Sequence, residues 1–243
     1  MAGLLHSEMY SEATKIMNME KAKRFFHSPP GKFSIDLAWG IAAGIALLLL
    51  FAKMVEDLMY HELGTFDAVA AQFIRGFASN ELTRAAIIIT SIGSPSFDLI
   101  IMLAAGGYLL LRLKHTWEAL ILAISFAGGG LLSYALKNIF HRARPDIQHL
   151  VNVGGYSFPS GHALISATFY GMLGYLIWLN LRQRNKPSWH VAVLTVIFIA
   201  AIGASRIYLG VHFPSDVVAG FAAGGVWLTA CIMGLNAIRY YRS

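Results

Sequence analysis

Six stretches of this chain are long and apolar enough to cross a bilayer: residues 34–52, 85–111, 117–138, 161–181, 189–206 and 215–238. A spanning helix needs about 20 mostly apolar residues. Lipid offers the backbone no hydrogen-bond partners, so each N–H and C=O must be satisfied within the segment. Only 13% of the residues are charged and 56% are hydrophobic. Soluble domains carry about 25% charged residues, so this chain has too few polar side chains to clothe a water-soluble surface. The expected fold is an all-α polytopic bundle of six transmembrane helices. The net charge of +6 does not point to nucleic acid, because the basic residues sit beside apolar runs, as in membrane loops.

The second stretch is interrupted by Thr90, Ser91 and Gly93-Ser94-Pro95-Ser96, and a break or bend is expected there. Residues 65–80 have the pattern of a short amphipathic helix lying on the membrane surface between the first two spans. Residues 1–33 read as an N-terminal arm and 34–243 as one membrane domain. Gly128-Gly129-Gly130 and the Gly220 to Gly225 region supply small residues, which let helices approach closely in lipid. The single cysteine, Cys231, has no partner in the chain for a disulfide.

Lysine and arginine in the loops set the orientation. Lys15, Lys21, Lys23, Arg24 and Lys32 precede the first span. Arg112 and Lys114, then Arg182, Arg184 and Lys186, then Arg239 and Arg242 fall on the same side of a six-span chain. That side is expected to be cytoplasmic, with both termini. Lys137, Arg142, Arg144 and Arg206 fall on the opposite side, against the bias. A reason other than topology is needed for them.

Three clusters meet on that outer face. Lys137 to Pro145 reads K-N-I-F-H-R-A-R-P, and Pro145 disfavours helix at Arg144. Phe158-Pro159-Ser160-Gly161-His162 opens the fourth span. There Ser160 is a natural N-cap, and the helix start offers free N–H groups to an anion. Ser205 to Asp216 places Arg206 at the end of an apolar run and His212 four residues before Asp216, within reach of a carboxylate–imidazole contact. Each cluster alone has an ordinary explanation: a snorkelling basic helix end, a plain cap, a surface histidine. In combination, three cations and a helix N-terminus form a site for a phosphate dianion, each charge-assisted hydrogen bond contributing roughly 1.5–3 kcal/mol.

These residues resemble the three signature motifs of the type 2 phosphatidic acid phosphatase family. K-x6-R-P spans Lys137–Pro145, P-S-G-H spans Pro159–His162, and S-R-x5-H-x3-D spans Ser205–Asp216. Its compact bacterial members include phosphatidylglycerophosphatase B and undecaprenyl-diphosphate phosphatase. The resemblance implies a membrane lipid phosphatase acting through a phosphohistidine. His212 would be the nucleophile, oriented by Asp216, with His162 as general acid and then base. Lys137, Arg144, Ser160, Gly161 and Arg206 would hold the phosphate. No metal or other cofactor is implied, and no carboxylate cluster suits two divalent ions.

The expected partners are membrane lipids and a lipid phosphate: phosphatidylglycerol phosphate, phosphatidic acid or undecaprenyl diphosphate. A lipid phosphotransferase would use the same residues, since a phosphohistidine can be attacked by a hydroxyl other than water's. A non-enzymatic lipid transporter would need charges along a path through the bilayer, and the midspan regions are nearly free of them. His212→Ala should abolish phosphate release by the purified protein, whereas His141→Ala should leave most of it. The reverse result would overturn this division of roles.

Overall fold

A computed structural model describes residues 29–242. All regular structure among them is helical: α1 (Pro29–Met59), α2 (Gly64–Arg75), α3 (Asn80–Ile92), α4 (Pro95–Tyr108), α5 (Thr116–Phe140), α6 (Gly161–Gln183), α7 (Trp189–Tyr208) and α8 (Pro214–Arg242). A π turn, Leu109–Leu113, prolongs α4. Six of these segments can span a membrane: 33–59, 95–113, 116–140, 161–183, 189–208 and 214–242. The chain is a multi-pass membrane protein. The expected N-terminal arm lies outside the described residues up to residue 28. From Pro29 the chain is already helical, five residues ahead of the span read from the sequence.

The second span differs from its expected bounds of 85–111. The chain breaks where the polar residues fall. Ser94 caps the helix that follows by accepting a hydrogen bond from Phe97 N, and Pro95 occupies its first turn. Proline at that position needs no backbone donor and has its φ preset. The half before the break becomes α3, a separate helix capped by Ser79 and packed on α7. The amphipathic helix ends earlier than expected, at Arg75. Two short helices, not one, therefore lie between the first and second spans.

The bundle is organised around α6 and α8, with α1 against α8, and α5 and α7 flanking α6. Its core holds Leu122, Phe169, Met172, Ile202 and Leu235, all fully buried. In lipid, contact between helices rests on close packing rather than on exclusion of water. The sequence meets that need with Gly220 and Gly224, one turn apart on α8. A Cβ on Gly220 would lie 2.7 Å from Ser160 O, and one on Gly224 would lie 2.6 Å from Leu164 O. The start of α6 is thus seated on glycines.

Replacing Gly220 by valine should force the two backbones apart and cost about 1–3 kcal/mol, the range for overpacking a tight interior. Thermal melting in detergent should show a clear drop for Gly220→Val. Gly234→Val, where an added Cβ meets nothing within 4 Å, should melt close to wild type.

Candidate active site

The site forms where α5 and α7 end and α6 and α8 begin. Helix α5 stops at Phe140 because His141 adopts a left-handed conformation, φ 48°. The chain then folds back over the bundle. Ser157 N donates to Arg142 O at 2.8 Å and Leu150 N to Leu209 O at 3.1 Å. The fully buried Phe158 anchors this segment between Phe51 and Phe140, with ring centroids 6.2 and 5.1 Å away. Two residues on, Ser160 caps α6 by accepting from Ala163 N. Its own N–H donates to Asp216 O at 2.9 Å, tying the start of α6 to the start of α8.

His212 sits in the short turn between α7 and α8 and is 4% exposed. Its Nδ1 lies 3.3 Å from Asp216 Oδ2 and 3.4 Å from Ser157 Oγ. On the other side of the ring, Arg144 Nη1 lies 3.3 Å from Nε2. Arginine can only donate. A donor at Nε2 and a carboxylate at Nδ1 assign the proton to Nδ1 and leave the Nε2 lone pair facing Arg144. Arg144 also donates to Val211 O at 2.7 Å, Gly154 O at 2.9 Å and Gly155 O at 3.1 Å, which holds its guanidinium at the Nε2 edge of the ring. Lys137 Nζ donates to Tyr156 O.

Arg206, 3% exposed, closes α7 and donates to Thr90 Oγ1 at 2.6 Å, while its Nε has no partner. His162, in the first turn of α6, is half-buried. It lies within electrostatic reach of Arg206, His212, Lys137 and Arg144. Gly161 faces α5, where an added Cβ would lie 3.0 Å from Ser133 Oγ and 3.6 Å from Lys137 Cε. The three sequence clusters thus converge. Among the described residues, no three His, Cys, Asp or Glu side chains group so as to hold a metal ion.

Residues 118–239, the part of the chain that carries all three clusters, match the profile of the PAP2 superfamily. The chain belongs to the PAP2 superfamily. It is 36% identical over 185 residues to phosphatidylglycerophosphatase B of Bacillus subtilis, covering 74% of this chain and 88% of that one. It is 30% identical over 203 residues to a lipid A 1-phosphatase of Rhizobium etli, covering 73% and 78%. Its fold is similar to the crystal structure of a transmembrane PAP2-type phosphatidylglycerolphosphate phosphatase from Bacillus subtilis. That likeness has a TM-score of 0.73 at 28% identity and covers 78% of this chain and 94% of that one.

In this PAP2 chain the site contains residues that the motif reading passed over. Arg142, between the motif positions Lys137 and Arg144, donates to Asp216 Oδ1 at 2.7 Å, Ser215 Oγ at 2.8 Å and Asp67 Oδ2 at 2.7 Å. Asp67 comes from α2, far off in sequence, and is 5% exposed. Thr90 of α3 holds Arg206. Two signals for them were in the sequence: Arg142 violates the charge bias of the loops, and Asp67 shares the inward stripe of α2 with Ala71 and Ile74, at spacings of four and seven. His141, by contrast, is exposed and packs edge-on against Tyr156, centroids 4.4 Å apart. A cavity of about 720 Å³ borders the Asp67–Arg142 side, with Leu58, Leu63, Phe140, Ile207 and Phe213 in its walls; of the expected site residues only His212 lines it.

Burial lowers the His212 pKa from 6.5 to about 4, and Arg144 and Lys137 push the same way, while Asp216 opposes them. The imidazole is therefore neutral at pH 7. Because the unfolded chain binds this proton more readily, the neutral ring contributes stability above about pH 6.5 that is lost as pH falls toward 4. In labelled protein, His212 should titrate near pH 4, and Asp216→Asn should lower that midpoint further by removing the carboxylate that raises it. Nuclear magnetic resonance of the ring nitrogens reads both, and an ordinary midpoint near 6.5 would contradict the burial described.

Proposed function

We propose that this protein is a membrane lipid phosphatase that hydrolyses a phosphate monoester or diphosphate of a lipid through a phosphohistidine on His212. The observation that carries this reading is the polarity of the His212 surroundings. A carboxylate stands at Nδ1, and a guanidinium stands at Nε2 beside further cations from two other segments. That pattern suits a neutral imidazole attacking phosphorus. Nε2 forms the P–N bond as the P–O bond to the lipid breaks. His162 gives its proton to the leaving oxygen. Asp216 stabilises the positive charge that develops on the ring. Lys137, Arg144 and Arg206, with Ser160 and the free N–H groups at the start of α6 near Gly161, hold the phosphoryl oxygens. In the second half His162 takes a proton from water, the water oxygen bonds to phosphorus, the P–N bond breaks, and phosphate leaves.

A site at the ends of spanning helices suits a phosphate held at headgroup depth on a molecule whose tails stay in lipid. Phosphatidylglycerol phosphate, phosphatidic acid and undecaprenyl diphosphate all fit. The loops at the opposite ends of the bundle carry Arg112, Lys114, Arg182, Arg184, Lys186, Arg239 and Arg242. By the positive-inside rule those ends and both termini face the cytoplasm, and the site faces outward from the cell membrane.

Purified protein in detergent and EDTA should release inorganic phosphate from at least one member of a panel of lipid mono- and diphosphates. Acid-labile, base-stable label should be trapped on wild type and never on His212→Ala. Label passing to an acceptor lipid with little free phosphate would identify a phosphotransferase instead. No phosphate transfer from any member would sink the reading.

A further inference from the structure

The short helix α2, which carries none of the three motifs, contributes a carboxylate to the site on the far side of Arg142 from Asp216. The Asp67 carboxylate accepts three hydrogen bonds, from Arg142 Nη2 at 2.7 Å and from Ser215 N and Oγ at 2.8 Å each. Arg142 spans the gap to Asp216 Oδ1 with its other terminal nitrogen at 2.7 Å, and the Phe213 ring covers its guanidinium at 4.0 Å. Side-chain exposure is 15% for Arg142, 6% for Asp67 and 0% for Asp216. A buried cation shared by two carboxylates is held at fixed distance from both, and its charge is divided between them.

We propose that Asp67 is a positioning residue for the nucleophile, acting through Arg142 to set both the place and the effective charge of Asp216 beside His212. This rests on the phosphohistidine reading above. Without Asp67, Arg142 would pair with Asp216 alone. Asp216 would then have less negative charge to offer the imidazole as positive charge develops on it in the transition state. The cost would fall on the chemical step and not on binding, because the phosphate is held by other cations.

The position of α2 supports a dedicated role. Its inward stripe, Ala71 and Ile74, packs on Ala163, Ile207 and Val217. Its outward residues Phe66, Val69 and Phe73, with Phe77 just beyond its end, are 46–69% exposed. A helix that presents aromatic residues outward at the ends of membrane spans sits at the bilayer surface. It brings an acid to the site from an element tied to the lipid boundary.

Asp67→Asn tests this, since asparagine keeps the shape and can still accept from Ser215. kcat should fall about tenfold while KM stays within about twofold, the pattern of an interaction made in the transition state. The His212 titration supplies the readout that loosened packing could not mimic. The charged groups around the ring are Asp216, Arg144, Lys137 and His162. Removing the Asp67 charge and freeing Arg142 both act to lower the midpoint. A loosened site would admit water and raise it from about 4 toward 6.5.

Arg142→Lys, which keeps the charge but cannot bridge both carboxylates, should show the same loss in kcat, so either variant that folds carries the test. Unchanged kcat, a loss confined to KM, or an upward midpoint in Asp67→Asn would overturn the proposal. Wild-type protein with no phosphate release or label on His212 would instead overturn the phosphohistidine reading and leave the titration prediction standing.

Discussion

Burying a carboxylate costs several kcal/mol unless donors replace the water it loses. Asp216 is fully buried, and the site is the set of groups that replace that water. Arg142 reaches Oδ1. Ser157 Oγ and Phe213 N donate to Oδ2, where His212 Nδ1 also points. The Asp216 carbonyl accepts Ser160 N. One residue thereby fixes the loop after α5, the cap of α6 and the turn before α8. Losing any one donor leaves a buried charge partly uncompensated, so these segments are bound to one geometry.

The membrane explains why this happens at helix ends. Within the hydrocarbon, backbone groups are consumed by the helices and side-chain charges are costly. Arg206 sits at the limit of what α7 can carry, and it is tolerated because Thr90 of α3 bonds it. The break at Ser94-Pro95 is part of the same arrangement. By ending α3 and starting α4 afresh, it leaves α3 packed on α7 with Thr90 beside Arg206. An uninterrupted second span would have no reason to bend toward that guanidinium.

Much of this was legible in the sequence. Five of the six spans follow from hydropathy, whereas the second begins at Pro95 and not at 85, and the convergence of the three clusters follows from counting spans and placing loops on two sides. The three motifs, being contiguous, carry their chemistry in local spacing: Ser160 before its helix, His212 four residues ahead of Asp216. Less visible were contacts between residues far apart that no spacing rule links. Asp67 lies 149 positions before Asp216, and Thr90 lies 116 before Arg206. The exact end of the amphipathic helix was lost for a different reason. Residues 76–80 keep a mixed polarity that suits either a helix end or its continuation, and the Ser79 cap of the next helix decides between them.

Arg142 and Arg144 show why residue type alone underdetermines role. They are two positions apart; Arg144 lies 3.3 Å from His212 Nε2, whereas Arg142 is linked to the imidazole only through Asp216, which it bonds at Oδ1 and which faces Nδ1 with Oδ2. Arg142 is bonded to two carboxylates, so with Asp67 and Asp216 it forms a group of net charge −1. Arg144 is bonded to main-chain carbonyls of Val211, Gly154 and Gly155, which are neutral and leave its positive charge uncompensated, as the proposed phosphate-binding role requires. The ring therefore has a negative environment at Nδ1 and a positive one at Nε2. The proposed nucleophile, which must gain positive charge while the phosphoryl group it would attack carries negative charge, would be served by that gradient. The motif spacing separates the two arginines, Arg144 at a fixed position and Arg142 at a variable one; their partners make them opposites in charge.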